Sequence, residues 1–332
     1  MSAKWGKNMT INKTNNIYYV NNANICGNVG IDSAGNCNAD IDGADNNSNG
    51  EDYRMHLHET KRIVVKVGTS TLTYGNGKIN LSRMDKLSMV LSDLVNQGKD
   101  VVLVTSGAIG VGVGKLKLKE KPKTIREKQA VAAVGQCELM HIYSKFFSEY
   151  GHIVGQILLT RDVVEDEYRR NNVINTFETL LEKEIVPIVN ENDSVCVKEL
   201  ESENGENMVF GDNDTLSAIV AKLISADLLI ILTDIDGFYD CDPRMNSCSK
   251  KLSVITEITP EIESCAGGVG SKQGTGGMVT KLTAAKIVTA EGIDMVLANG
   301  NDPSIIMDIL MGEDVGTLFA AKNPQDYKRN WM

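Results

Sequence analysis

A chain of 332 residues, 42% of them apolar, can hold two average domains or one large α/β domain and has ample material for a core. Its formal net charge of -10 argues against a general nucleic-acid binder, whose affinity comes from Lys and Arg neutralising phosphates, although local lysines can still hold a small anion. No apolar run reaches the roughly 18 residues of a membrane span, the first residues lack the apolar stretch of a signal peptide, and seven cysteines without a Cys-x-x-Cys pair suit reduced thiols better than disulfides or a zinc site, so a cytoplasmic protein without membrane contact is expected.

Residues 1–58 are crowded with Asn, Gly and Asp and carry scattered apolar residues without period, which predicts a disordered or loosely attached amino-terminal extension. Met55 is a possible natural start, and His56 and His58 read as solvated surface. From Lys61 the pattern changes. Arg62-Ile-Val-Val-Lys-Val-Gly reads as a buried strand, and Lys66 within it needs a partner, for which an anion beside Gly68 is the favoured candidate. Leu81, Met84, Leu87, Leu91, Leu94 and Val95 form a helix stripe closed by Gly98.

A second strand, Asp100 to Thr105, ends in a Ser-Gly turn where Ser106 is a candidate oxyanion contact. Neither the P-loop nor the Gly-x-Gly-x-x-Gly pattern fits the glycines that follow. A helix running to about Tyr150, a strand from His152 to Leu159 and a helix around Val173 to Leu181 continue the β/α alternation. The next strand, from Ile185, carries Asn190, Asn192 and Asp193 at its carboxyl end, and the polar stretch 198–207 reads as a mobile hairpin or lid.

Asp212, Asn213 and Asp214 then crowd a helix start, with Asp214 as the expected cap and Leu216, Ile219, Val220 and Leu223 at helical spacing. Alone, such a cluster is as well read as a cap and a polar turn. Leu228 to Leu232 reads as a fully buried strand that delivers Thr233 and Asp234 to its carboxyl end, where open parallel sheets bind ligands. Residues 250–264 read as a connecting segment. The glycine-rich run 267–277 leads into a helix whose first turns hold Lys281, an arrangement suited to a phosphate, although a surface loop explains the glycines equally well. Two last strands, 293–297 and 316–319, flank a helix over 302–310.

Together these residues resemble the amino acid kinase family, and within it the members that phosphorylate free glutamate. The resemblance rests on Lys66-Val-Gly-Thr-Ser, Val104-Thr-Ser-Gly-Ala-Ile, Val134-Gly-Gln, Leu159-Thr-Arg, Ile188-Val-Asn-Glu-Asn-Asp, Gly211-Asp-Asn-Asp-x-Leu-Ser-Ala, Leu232-Thr-Asp-x-x-Gly and Gly274-Thr-Gly-Gly-Met-x-Thr-Lys, and covers about 61–331. It implies a three-layer α/β/α sandwich with a mainly parallel central sheet over 59–332, divided into a glutamate-binding half (about 61–210) and an ATP-binding half (about 211–331). It also implies Mg²⁺ with ATP as donor, L-glutamate as acceptor, the first step of proline biosynthesis, feedback inhibition by L-proline and a homo-oligomer.

Residue by residue, the resemblance implies glutamate contacts at Ser106, Asp193 and Asn213, with Asn190 and Asp212 beside them. Lys66 and Lys281 would hold the phosphoryl group, and Asp214 would position both lysines. Thr233, Asp234 and the run Thr275, Gly276, Gly277, Met278, Val279, Thr280 and Lys281 would meet the nucleotide. Many relatives continue into a small RNA-binding-type domain, which is not expected in this chain. The 198–209 loop is expected to take part in proline sensing.

The chemistry suits this equipment. A free carboxylate, with a pKa of about 4.3, is already ionised near neutrality and needs no catalytic base, in keeping with only four histidines. What it does need is relief of repulsion between anions, which two lysines and Mg²⁺ supply. Alternatives are a kinase of the same fold acting on acetylglutamate, carbamate, uridylate or aspartate, and a non-catalytic ligand sensor, for which retention of both lysines is unexpected.

Overall fold

The computed structural model describes residues 53–74, 78–195, 212–241, 248–266 and 277–321, together with three two-residue strands nearer the amino terminus. The chain divides into two units, 1–38 and 39–332. In the first, Gly30–Ile31 (β1) pairs antiparallel with Cys37–Asn38 (β2).

The second unit is built on a nine-stranded sheet. In chain order its strands are Ala44–Asp45 (β3), Arg62–Val67 (β4), Asp100–Val104 (β5), Val154–Leu159 (β6), Val186–Glu191 (β7), Leu228–Thr233 (β8), Val254–Ile255 (β11), Asp294–Asn299 (β12) and Thr317–Phe319 (β13). In space they run β3-β11-β13-β12-β8-β4-β5-β7-β6. Every pairing from β12 to β6 is parallel, and β13 lies antiparallel to β12. Phe238–Tyr239 (β9) and Lys251–Leu252 (β10) form a separate antiparallel pair.

Because side chains alternate along a strand, the two faces of the sheet bury separate cores. Ile63, Val65 and Val67 of β4 join one core with Leu87 and Leu91 of Leu81–Asn96 (α2) and with Leu139, Tyr143 and Phe147 of Ile125–Glu149 (α4). Val64 joins the other with Phe177 of Glu167–Glu182 (α6), Leu216 and Val220 of Asn213–Leu223 (α7), and Leu282 and Val288 of Met278–Ala290 (α9). Helices therefore cover both faces, which is the expected three-layer α/β/α sandwich. Among the described residues no helix is long and apolar enough to cross a membrane.

Two features depart from the sequence reading. The segment taken as a connector contains β10, β11 and the helix Pro260–Ala266 (α8), elements too short to show a period. Packing also begins on the amino-terminal side of residue 59: Leu57 is buried, and the buried Arg54 guanidinium donates to the carbonyl oxygens of Ser253 (2.9 Å), Val315 (3.1 Å) and Glu313 (3.3 Å). A start at Met55 would remove that clasp.

Candidate active site

The polar residues gather where β4, β5, β7 and β8 reach their carboxyl ends. Lys66 shares the alternation of Val64, so its side chain leaves β4 on the face covered by α7 and α9. There it finds an anion supplied by the protein. Lys66 Nζ lies 2.5 Å from Asp214 Oδ1, and Lys281 Nζ, from the first turns of α9, lies 3.1 Å from Asp214 Oδ2. All three side chains are buried, and Asp214 is fully so.

Asp214 was expected to cap α7, but Asp212 does so: it has extended backbone, and its Oδ1 accepts from the Asp214 amide at 3.1 Å. That frees the Asp214 carboxylate, one residue into the helix, to point at the lysines. Ser217 closes the same turn by donating to the Asp214 carbonyl. Thr280 Oγ1 lies 3.0 Å from Asp214 Oδ2 and 2.7 Å from the Gly277 carbonyl, either of which can take its single proton.

The two neighbouring carboxyls are pushed in opposite directions. Burial pushes the Asp214 carboxyl up, but Lys66 and Lys281 outweigh it and hold the group below the ordinary carboxylate range. For Asp212, burial and then the Asp214 charge raise it, and the hydrogen bond from the Asp214 amide and the Lys66 charge only partly offset them. Its Oδ2 is buried without a hydrogen-bond partner among the described residues. Asp212 is thus a carboxyl that gains from an incoming cation.

A second cluster lies on the other side of the α7 start. Asn213 Nδ2 donates to the Thr105 carbonyl (2.8 Å) and reaches Ser106 Oγ (2.7 Å) and Asn190 Oδ1 (3.1 Å). Asn190 Nδ2 in turn donates to Gln136 Oε1 at 2.8 Å. Thr105 is anchored below by Tyr143, whose hydroxyl lies 3.0 Å from Thr105 Oγ1 and which burial keeps well above the usual phenol range. Ser106 lies two residues before Ala108–Lys115 (α3), with Gly107 as its N-cap supplying the left-handed turn at φ 95°.

The expected residues therefore form two contiguous groups: Lys66, Asp214, Thr280 and Lys281 with Asp212, and Ser106, Asn190 and Asn213. Asp193 lies in the turn after β7. Thr233 ends β8 and Asp234 follows it, one strand over from Lys66; Thr233 Oγ1 donates to Asp234 Oδ1 (3.1 Å), and Asn299 Nδ2 donates to the Asp234 carbonyl (3.3 Å). Gly277, Met278 and Val279 open α9, whereas Thr275, Gly276 and the 198–209 loop lie outside the described residues. Gln136 is the one contributor that its sequence context did not single out; it sits in Val134-Gly-Gln, and a polar residue directly after a glycine on an otherwise apolar helix face is the signal that marks it.

The sequence profile of the Amino acid kinase family matches residues 61–299. A glutamate 5-kinase of Clostridium perfringens is 67% identical over 269 residues, covering 81% of this chain and 98% of the relative. One of Listeria innocua is 60% identical over 272 residues, covering 82% and 97%. Among solved structures, a UMP kinase from Bacillus anthracis superposes with a TM-score of 0.51 at 16% identity, over 80% of this chain and 97% of that one; this likeness speaks to fold alone.

Proposed function

The chain belongs to the amino acid kinase family, and from that premise we propose that it transfers the γ-phosphoryl group of ATP to the side-chain carboxylate of L-glutamate. The product is L-glutamyl 5-phosphate, and the reaction opens proline biosynthesis. High identity to relatives named glutamate 5-kinase over nearly their whole length supports this acceptor over uridylate, whose kinase shares only the fold.

The observation that carries the chemistry is the Lys66-Asp214-Lys281 trio. Its summed charge is +1, and Asp214 holds both ammonium groups at the mouth of the sheet. Phosphoryl transfer depends on alignment and charge stabilisation, and the two lysines provide fixed positive charge where the attacking carboxylate and the γ-phosphate repel each other. Asp214 is not a base, because the nucleophile arrives ionised and the lysines keep the aspartate so. Mg²⁺ brought in with ATP would supply positive charge to the phosphates, and the carboxylate and amide oxygens of the site are donors of the kind that would hold a hard cation.

Asp212 and Asp193 supply negative charge for the glutamate ammonium, and Ser106 with nearby backbone amides takes a carboxylate. Thr233, Asp234 and residues 275–281 serve the nucleotide. In the same reading the 61–210 half receives glutamate and the 211–331 half receives ATP. L-proline inhibits at or across the glutamate site, and the enzyme acts as a cytoplasmic homo-oligomer.

The test is ATP-dependent acyl phosphate formation, trapped as the hydroxamate, from L-glutamate, aspartate and N-acetylglutamate in parallel. Product from glutamate alone, lost in Lys281→Ala, is expected. A protein that binds ATP yet yields no product from any of the three would favour the sensor reading.

A further inference from the structure

The amide groups of the second cluster form a chain whose direction is fixed at one end. A backbone carbonyl only accepts, so the atom Asn213 turns toward the Thr105 carbonyl, 2.8 Å away, must be Nδ2. With Nδ2 on that side, Asn190 must present Oδ1 to Asn213, and its own Nδ2 then faces Gln136, which must present Oε1. Each orientation follows from the one before it. The consequence at the near end is that Asn213 is left with Oδ1, an acceptor, to offer a ligand.

Gln136 sustains this chain at a cost. It is 8% exposed, and its Nε2 is buried without a hydrogen-bond partner among the described residues. A buried unpaired amide donor is unfavourable, and an apolar side chain of similar volume would avoid the penalty. Its position is set by the helix crossing beneath it: Gly135 packs its backbone onto α3, bringing α4 close enough for residue 136 to reach Asn190 on β7, 54 positions along the chain.

We infer that Gln136 is a positioning residue for the acceptor: by accepting from Asn190 Nδ2 it holds Asn190 with Oδ1 toward Asn213, whose own polarity the Thr105 carbonyl sets, so that Asn213 stays placed to present a hydrogen-bond acceptor to the substrate's α-ammonium group. The inference rests on an amino acid being the acceptor, as proposed above. Without Gln136, Asn190 Nδ2 loses its acceptor and Asn190 is ordered only by its contact with Asn213, which would loosen Asn213 against the substrate.

The experiment compares native enzyme with Gln136→Met, which keeps volume but offers no acceptor oxygen, and Gln136→Glu, which presents one whether ionised or protonated. KM for glutamate and for ATP, kcat and Tm are measured, together with the inhibition constant of glutarate, which lacks the ammonium group. In Gln136→Met a KM for glutamate raised about tenfold is expected, the loss of roughly one hydrogen bond. KM for ATP, kcat and the glutarate constant should stay within about threefold, with Tm unchanged or higher. Gln136→Glu should keep the native KM for glutamate within about threefold, and this variant carries the test if Gln136→Met does not fold. An unchanged KM for glutamate in Gln136→Met, equal impairment of both variants, or an equal loss of glutarate binding would overturn the inference. Native enzyme inactive on glutamate would instead overturn the reading on which it rests.

Discussion

At the scale of single residues, the site turns on two carboxyls two positions apart with opposite needs. Asp214 is satisfied within the protein by Lys66 and Lys281, whereas Asp212 is buried beside a like charge with one oxygen unpaired. A cationic group on the acceptor relieves Asp212, so glutamate binding should weaken once Asp212 is protonated. Burial and the Asp214 charge raise the Asp212 carboxyl, and the weakening should therefore set in at a pH above the ordinary Asp value of about 3.9. Initial rates against glutamate concentration from pH 8 down to 5 would show a rising KM. Asp212→Asn should raise KM most at pH 8, where native Asp212 is ionised, and flatten the profile so that the two enzymes converge as pH falls; a variant with the native profile would remove Asp212 from this role.

At the scale of elements, the crossing of α3 and α4 positions the acceptor side. A Cβ on Gly135 would lie 1.8 Å from the Ala108 carbonyl oxygen and 2.5 Å from the Gly112 amide, and one on Gly112 would lie 2.1 Å from the Val131 carbonyl oxygen. These helices touch backbone to backbone, and neither can yield locally. Gly135→Ala should cost about 2 kcal/mol or more by overpacking. Because α3 begins two residues after Ser106, the variant should also lose glutamate binding more than ATP binding. Urea unfolding with paired KM measurements checks both; a stable variant with native kinetics would show that the crossing adapts. The Arg54 clasp, by contrast, ties the segment before β4 to the carbonyls around β11 and β13, away from the site.

At the scale of the whole molecule, acid should unfold the protein through groups that the fold holds ionised. Asp214 lies below the ordinary range, and Asp302, held by Lys86 and the Ser304 amide, is lowered to about 2. A depressed carboxyl contributes stability above its unfolded value of about 3.9, and that contribution is lost as pH falls through the folded value. Asp212 carries the opposite sign, since its proton uptake favours the fold. Urea midpoints should accordingly fall between pH 4 and pH 2, and a midpoint constant over that range would contradict the assignment.

Much of this architecture was legible in the sequence, because long buried strands and polar residues at their carboxyl ends leave a local signature. Lys66 stood out as a charge in an apolar run, and Ser106, Asn190 and Asn213 as polar residues at element ends. What sequence could not give was direction. Asp214 reads as a cap until Asp212 is seen to take that place two residues earlier. Gln136 reads as one more helix residue until tertiary packing sets it against Asn190. The two-residue strands β10 and β11 have no period to detect.

Asp214 acts by holding two lysines for transfer and not by binding either substrate. Asp214→Asn keeps the shape and removes the charge, so the most direct measurement is single-turnover phosphoryl transfer in this variant, with equilibrium binding of glutamate and ATP measured alongside. Dissociation constants within about threefold of native are expected, with a transfer rate lowered by at least about 100-fold, the scale of losing aligned charge stabilisation. A folded variant that transfers at a near-native rate, or one whose defect lies wholly in substrate binding, would contradict this role.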